Sequence, residues 1–266
     1  MNEQPLDGFR IATLNVNGWT FPQMQHGRDF EEILGRVDVL ALQDTRLDAE
    51  GFQKFKKMIQ SRQHETRVVV GAEMQGKQRD KMTAFGGTVL IARGQMANAV
   101  RDWGADRESG VGLYTWIRFQ KEGHAMTVLN LYQPIAYSEE QLQLHQHAVR
   151  AKAQANLRKH FNQEVDVDKW MQEQIENTLR RHNRDNTSDA VIAGDFNCDA
   201  QKARGWLKAW ADRIGATTVL QGTTLNLEVK AKEKLYTFES AERRSAPDNV
   251  VTSKCMKLSW NATHPS

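Results

Sequence analysis

Eight short runs of apolar and β-branched residues recur along the chain, and they constrain the fold more than any other feature of the sequence. Each run has the length and composition of a β-strand. Some of them, such as VDVLAL and GTVLIA, are apolar almost throughout, which is typical of strands covered on both faces. The predicted strands span residues 9–16, 37–42, 67–70, 86–92, 113–119, 125–132, 190–196 and 249–252.

Helical patterns lie between some of these strands. Phe30, Ile33 and Leu34 share one face of a helix, and a second amphipathic pattern places Phe52, Phe55 and Ile59 on a common face. Strands that alternate with covering helices build layered folds. The predicted fold is therefore α/β, a layered α/β sandwich formed by residues 1–266 as a single domain.

A polar, helix-like insert at about 138–186 separates two predicted strands. Its first helix carries Leu142, Val149, Ala153 and Leu157 on one side, and its second, capped by Asp166, carries Val167, Met171, Ile175, Thr178 and Leu179. A break is expected at 162–165. About 45 residues rarely bury a core alone, so we expect a helical hairpin and not a separate domain. Its cations Arg150, Lys152, Arg158 and Lys159 form either a nucleic-acid contact or a solvated face.

The charge balance permits a nucleic-acid partner without requiring one. Lys and Arg number 36 and Asp and Glu 33, which gives a net charge of +3. The two cysteines, Cys198 and Cys255, imply no disulfide framework, and the N-terminus has no apolar leader pattern. We expect an intracellular protein with no membrane partner and no small-molecule cofactor, whose oligomeric state stays open.

Polar side chains stand at five strand ends. A single Asp or Asn in that position is typical of a turn, but five together predict a shared cleft, because layered α/β folds place ligands at strand ends. The residues are Asn15, Asp44, Tyr132, Asp195 with Asn197, and Asp248.

These segments resemble the endonuclease/exonuclease/phosphatase superfamily of metal-dependent hydrolases. The resemblance is carried by LNVNGW, LALQDTRL, GGTVLIAR, LNLYQP, GDFNCD and SAPDNVVTS, in the family's order over nearly the whole chain outside the insert. LALQDTRL, RRSAPDNVVTS and GGTVLIAR are most similar to the apurinic-type endonuclease domain of non-LTR (LINE-like) retrotransposons. The resemblance implies a four-layered α/β sandwich of two packed mixed β-sheets flanked by helices. It also implies cleavage of phosphate esters and, for a eukaryotic retroelement, a nuclear location.

The resemblance also implies roles for individual residues. Asp44 matches the family's metal-ligating acid, which is usually Glu, and would hold Mg²⁺, or Mn²⁺ as an alternative, with help from Asn15. Asp195 would orient or deprotonate the attacking water, and Asn197 would hold a phosphoryl oxygen. Tyr132 would donate to the phosphate or stabilise developing charge.

The chain departs from the family at its end. The family's counterpart of Asp248 orients a histidine in a Ser-Asp-His motif, and no such motif follows Asp248 here. Either Thr263-His264-Pro265 is a degenerate version, which makes His264 the catalytic histidine, or the sequence stops at Ser266 before the motif is complete. Both alternatives lack the acid, so we expect impaired activity.

Two basic runs are predicted to flank the cleft. Lys77 and Arg79 belong to a group with Arg62, Arg67 and Lys81, and Arg243 and Arg244 directly precede the Asp248 segment. Contacts of such residues with phosphates favour duplex DNA as the partner, and the alternative is a solvated surface. The histidines form no metal-binding constellation, and His160 and His182 are expected at the surface.

The leading hypothesis is an endonuclease that nicks one strand of duplex DNA and leaves a 3′-hydroxyl. An abasic-site repair nuclease or another phosphatase of the superfamily is the second hypothesis, because a shared fold does not separate these activities. A catalytically defective DNA-binding remnant is the third, prompted by Asp44 and by the missing terminal acid.

Overall fold

The computed structural model describes most of the N-terminal three quarters of the chain and parts of the remainder. The described residues are 10–16, 28–61, 65–73, 86–121, 123–134, 149–182 and 188–197, with 210, 213, 216–218, 238–239, 244–245 and 248–253.

The first sheet has four strands. They are β1 (Ile11–Asn15), β2 (Val39–Gln43), β3 (Arg67–Ala72) and β4 (Thr88–Arg93), in the spatial order β1-β2-β4-β3. β1 runs parallel to β2, and the other two pairings are antiparallel. The C-terminal ends of β1 and β2 therefore lie at the same edge of this sheet, beside the first residues of β4.

The second sheet has six strands in the order β5-β6-β7-β8-β12-β9. They are β5 (Val100–Ala105), β6 (Tyr114–Lys121), β7 (His124–Tyr132), β8 (Ser188–Asp195), β9 (Ala216–Thr218) and β12 (Asp248–Ser253). The central pair β7 and β8 is parallel, so both strands end at one edge. A separate hairpin pairs β10 (Phe238–Glu239) with β11 (Arg244–Ser245).

Alternation along the strands separates the inner and outer faces of each sheet. In β2, Val39 and Ala41 pack against the second sheet, whereas Leu40 and Leu42 face a helical layer. The inner faces of the two sheets form one apolar cluster that includes Leu90, Ile117, Phe119, Val128 and Val191. Burial of this apolar area between the sheets is the main term that holds the sandwich together.

Helices cover both outer faces. The helices are α1 (Arg28–Arg36), α2 (Ala49–Ser61), α3 (Gly94–Ala99), α4 (Val149–Phe161) and α5 (Val167–His182). α1 and α2 pack on the first sheet through Phe30, Leu34 and Phe55. α4 and α5 pack on the second sheet through Leu157, Trp170, Met171 and their neighbours. The predicted four-layered sandwich is confirmed.

The strand predictions hold with shifts at the ends. Each of the eight predicted runs overlaps a strand, and Asp166 caps α5 by accepting the backbone N–H of Asp168 at 2.9 Å. The prediction missed β5, whose Arg101, Asp102 and Trp103 are exposed and show no apolar alternation. Within the predicted insert the structure describes α4 and α5, whereas Leu142 lies outside the described residues. None of the described helices is long and apolar enough to span a membrane.

Candidate active site

The two sheets meet at one end of the sandwich through a hydrogen bond between side chains. Asn15, the last residue of β1, donates from Nδ2 to Oδ2 of Asp195, the last residue of β8, at 2.6 Å. Two of the predicted strand-end groups, from different sheets, are therefore in direct contact.

Asp195 is held in one orientation by the turn that follows it. Its Oδ1 accepts the backbone N–H of Asn197 at 2.9 Å, and the side chain is buried, at 5% exposure. Burial raises the pKa of the Asp195 carboxyl, and the negative charge of Asp44 adds to that rise, while the hydrogen bonds from Asn197 and Asn15 oppose it. A carboxylate with a raised pKa is a better proton acceptor than a solvated one.

The glycine before this aspartate is required by close packing. A Cβ atom at Gly194 would lie 2.0 Å from the carbonyl oxygen of Leu131 on the neighbouring strand. Any side chain at this position would push β8 away from β7. The Gly-Asp-Phe-Asn sequence thus brings Asp195 close to Tyr132, which is its register partner on β7.

Asp44 follows β2 in the left-handed backbone region, with φ of 50°, a conformation that Asp tolerates better than most residues. The side chain is buried, at 4% exposure. Its Oδ1 accepts the backbone N–H of Gly86 at 2.8 Å, and its Oδ2 accepts from Nη2 of Arg46 at 2.9 Å. Arg46 is therefore the counter-ion of this carboxylate.

A loop from the second sheet supports the Asp44 turn. The backbone N–H of Gly87 donates to the carbonyl of Val111 at 2.7 Å, and a Cβ at Gly86 would lie 2.3 Å from the same oxygen. The loop that contains Val111 folds around the buried Asp106, which accepts the backbone N–H of Leu113 at 2.8 Å. This packing fixes the position of the Gly86 donor and, through it, of the Asp44 carboxylate.

A buried polar network lies between the sheets, next to the site. Gln43 Nε2 donates to Thr13 Oγ1 at 3.0 Å and to Asn130 Oδ1 at 2.5 Å. Asn130 Nδ2 in turn donates to the carbonyls of Leu42 at 2.7 Å and Val89 at 2.9 Å. Asn130 belongs to β7, so the network joins the second sheet to β2 and β4 of the first.

A second network connects the site to the helical layer. Asn197 Nδ2 donates to the carbonyl of Gln133 at 2.6 Å, and the backbone N–H of Gln133 donates to the carbonyl of Asp195 at 2.9 Å. The Gln133 side chain reaches Asp168 on α5 at 3.3 Å. Asp168 forms a bidentate ion pair with Arg150 on α4, with both distances at 2.7 Å.

The structure brings together most of the predicted site residues that it describes. Tyr132 is buried beside Asp195 in the register of the sheet. Asp248 is paired with Asp195 in the register of β12 and β8, on the side of β8 away from β7. Arg244 lies in β11, where it pairs with Glu239 of β10. His264, Lys77, Arg79 and Arg243 lie outside the described residues.

Two sequence expectations are wrong. Arg67 does not flank the cleft: it is buried at the start of β3, opposite Arg93, at the end of the first sheet away from Asp44. His182 is not a surface residue, because it packs edge-on against Trp116 with its Nδ1 3.1 Å from Thr127 Oγ1.

Four residues that build the site have no role that the sequence predicts. Arg46, Gly86, Asn130 and Gln133 all lie within the motifs quoted above, but nothing in their spacing shows what they contact. A polar residue inside an apolar strand, as at Asn130, was the one available signal, because a buried amide needs partners.

The donor set at this end of the sandwich fits a hard divalent cation. Asp44 and Asp195 are buried carboxylates close enough for the charge of one to raise the pKa of the other, and a cation near them relieves that repulsion. The described residues contain no cluster of three acidic, histidine or cysteine side chains. One or two carboxylates with water are sufficient for Mg²⁺.

Comparisons with known proteins show the fold. No protein-family model and no curated protein sequence matches the chain. It is similar to the AP endonuclease LMAP from Leishmania major (TM-score 0.63, 12% identity, 92% of this chain and 79% of that one). It is also similar to the 3′ phosphatase NExo from Neisseria bound to a product DNA hairpin (0.56, 16%, 94% and 88%). A third similar structure is the endonuclease domain of TRAS1, a telomere-specific non-LTR retrotransposon (0.52, 11%, 92% and 85%).

Proposed function

We propose that this chain, whose fold is that of the endonuclease/exonuclease/phosphatase superfamily, is a metal-dependent phosphodiesterase that nicks one strand of duplex DNA. The observation that carries the proposal is the buried Asp195 carboxylate, oriented by Asn15 and by Asn197 next to the Asp44–Arg46 ion pair. A fixed basic carboxylate beside an oxygen-rich cation site is what hydrolysis of a phosphodiester requires.

In this proposal Asp195 accepts a proton from the attacking water. The water oxygen forms a new bond to phosphorus, and the bond from phosphorus to the 3′ oxygen breaks. The leaving 3′ oxygen takes up a proton from solvent water and departs as a hydroxyl. Asn197 donates to a phosphoryl oxygen, and Tyr132 donates to the phosphate or to the developing charge. Asp44 and Asn15 would hold Mg²⁺, or Mn²⁺ in its place, and the ion would neutralise charge on the phosphoryl group.

Duplex DNA is the proposed partner. One structural neighbour was solved with a product DNA hairpin, which supports a nucleic-acid substrate for this fold. β3 ends at Ala72 and β4 begins at Thr88, both at the site end where Gly86 contacts Asp44, and Lys77 and Arg79 lie between these two strands in the sequence. Arg243 and Arg244 lie shortly before β12 in the sequence, separated from its first residue, Asp248, by three residues. These four cations are proposed to bind phosphates beside the cleft.

The test is nicking of supercoiled plasmid with Mg²⁺, with EDTA as the metal-free control. The Asp195→Asn variant keeps the size of the side chain and removes its basicity, so we expect a loss of two to four orders of magnitude, on the order of 10²–10⁴-fold. Asp189→Asn is the matched control, because Asp189 lies on the same strand at the opposite end of β8. This control is expected to nick at the wild-type rate.

The alternatives make different predictions in the same assay. An abasic-site nuclease cuts a duplex with one abasic site far faster than intact plasmid, and a phosphatase of soluble phosphoesters shows no preference for DNA. A DNA-binding remnant binds duplex DNA but does not nick it with either ion. Equal nicking by Asp195→Asn and wild type overturns the proposed site.

A further inference from the structure

Helix α4 has an unusual charge composition. Its thirteen residues, VRAKAQANLRKHF, include four lysines and arginines, one histidine and no carboxylate. A helix that merely covered a sheet would gain from acidic partners at i, i+4 spacing on its exposed side, and α4 has none. The four cations are Arg150, Lys152, Arg158 and Lys159.

The helix lies at the site end of the sandwich, where it contacts the loop that supports Asp44 directly and is linked to the segment after Tyr132 through Asp168 of α5. Near its middle, Asn156 donates to the carbonyl of Ser109 at 2.7 Å, in the loop whose Val111 supports Gly87. Near its start, Arg150 binds Asp168, which also accepts from Gln133 beside Asn197. α4 is therefore fixed beside the cleft, by a direct contact on the Asp44 side and through Asp168 on the Asp195 side.

The four cations divide into two kinds. Arg150 is paired with Asp168 at 2.7 Å and Arg158 with Glu164 at 3.1 Å, so the arginines are neutralised within the helical layer. Lys152 and Lys159 form no ion pair with any residue that the structure describes. Seven residues separate them, which places both on one face of the helix, about 10.5 Å apart along its axis.

A third observation concerns the surface between these lysines. Ala155 lies between them on the same face and is exposed, and Lys159 is exposed while Lys152 is half-buried. The inward residues Val149, Ala153 and Leu157 are buried in the core. The face that carries Lys152, Ala155 and Lys159, called here the lysine face, points away from the core and has no bulky side chain between its charges.

We infer that the lysine face binds the phosphate backbone of DNA outside the cleft, a contact that extends the footprint beyond the cleaved bond. The inference rests on the proposed function, because it takes DNA as the molecule that reaches the site. Phosphates recur along a strand, and two unpaired ammonium groups on a fixed helix beside the cleft are complementary to them. Such contacts set binding and register, whereas the chemical step depends on the groups at the strand ends.

The test compares wild type with the Lys152→Gln/Lys159→Gln double variant. Binding to a fluorescent 30-base-pair duplex is measured in EDTA by anisotropy, from 50 to 300 mM KCl, so that no cleavage occurs. Loss of two phosphate contacts is expected to lower the slope of log Kd against log [KCl] by about 1.8, since each contact contributes about 0.9. In the nicking assay KM is expected to rise about tenfold with kcat unchanged.

The matched control is Lys56→Gln/Lys57→Gln, which removes one half-buried and one exposed lysine from α2 on the opposite helical layer. Its salt slope is expected to equal that of wild type. The charge-reversed Lys152→Glu/Lys159→Glu variant is expected to bind more weakly than the glutamine variant. Thermal melts of all variants show that each remains folded.

The outcomes separate the inference from the proposed function. If wild type nicks DNA and the lysine-face variant keeps the wild-type slope and KM, the inference is overturned and the nuclease proposal stands. If wild type neither binds nor nicks DNA, both are overturned. A lower slope in the lysine-face variant alone supports the inference, including in a chain that binds without nicking.

Discussion

Asn15 donates a 2.6 Å hydrogen bond to Asp195, a residue 180 positions away in the sequence and in the other sheet. Neither residue could reach its partner if the sheets packed at a different offset. The orientation of the proposed base thus depends on the packing of the whole sandwich and not on a local turn alone.

Replacement of Asn15 by Ala is expected to destabilise the protein. The change leaves one oxygen of a buried carboxylate without its side-chain donor, and hydrogen bonds to charged groups contribute about 1.5–3 kcal/mol. Urea unfolding in EDTA measures the loss. A free energy of unfolding equal to that of wild type contradicts the idea that this bond joins the sheets.

Arg46→Gln is expected to make divalent ions bind more tightly. Arg46 holds Oδ2 of Asp44 at 2.9 Å, so a cation must share that oxygen or displace the guanidinium. The free energy of one charge-assisted hydrogen bond corresponds to an increase of about tenfold in Mg²⁺ affinity. Calorimetry measures this affinity. The metal-free variant is expected to unfold more readily, because Asp44 loses its counter-ion.

The control for this variant is Arg36→Gln. Arg36 pairs with Glu32 on the exposed side of α1, away from the site, and exposed pairs of this kind contribute little. Its Mg²⁺ affinity is expected to match wild type. Weaker Mg²⁺ binding by Arg46→Gln than by wild type speaks against competition at Asp44.

Asp44→Glu, which restores the family's usual acid, is expected to destabilise this chain. The backbone at Asp44 has φ of 50°, which Glu tolerates less well, and the longer side chain loses its fit to the N–H of Gly86. Together these effects amount to about 1–3 kcal/mol. Asp44→Asn keeps the length and tolerates the backbone, so it is expected to fold better but to bind Mg²⁺ weakly. Chemical unfolding and calorimetry of both variants check the contrast.

The Arg150–Asp168 pair is expected to show strong coupling in a double-mutant cycle. The pair is bidentate and half-buried, and it supports Gln133 beside the site. The Arg158–Glu164 pair on the same helical layer is exposed on both sides and serves as the reference. We expect coupling of about 1.5–3 kcal/mol for the first pair and below about 0.5 kcal/mol for the second. Equal coupling in the two cycles contradicts the structural role of Asp168.

Protonation of the buried His182 is expected to destabilise the protein in mild acid. Burial lowers the pKa of the His182 imidazole, and the nearby charge of Arg118 lowers it further. The unfolded chain then binds a proton more readily than the folded one, so the stability is complete above the unfolded pKa of about 6.5 and falls as pH drops below it. His182→Gln is expected to flatten the dependence between pH 7.5 and 5.5. His160→Gln, which replaces an exposed histidine by the same residue, is the control for the substitution itself.

The parts of this fold that could be predicted are the strands and helices whose apolar residues recur at a regular spacing. Residues such as Leu40 and Ala41 face different layers, so an apolar run indicates a strand that is covered on both faces. Several such runs predict a layered α/β sandwich, and the family resemblance adds the four-layer arrangement. β5 could not be found this way, because an edge strand with exposed Arg101 and Asp102 carries no apolar pattern.

The sequence predicts which polar residues lie together at this end of the sandwich, but not which residues they contact. The strand-end pattern identifies Asn15, Asp44 and Asp195, because parallel strands end at a common edge. The Asp44–Arg46 pair depends on positive φ angles at both residues, and the link from Gln133 to Asp168 depends on how the helical insert packs. Neither follows from residue type or spacing.

Asn130 fixes how the two sheets are aligned relative to each other. An aliphatic interface is non-directional and is nearly as stable after a small slide of one layer over the other. The Asn130 amide satisfies two carbonyls of β2 and β4 and also Gln43 in a single alignment, and any slide would leave buried donors unmet. Asn130, which takes no part in the chemistry, therefore sets the distance between the Asp44 side of the site and the Asp195 side. A substitution of Asn130 would make that distance variable although no residue of the site itself is changed.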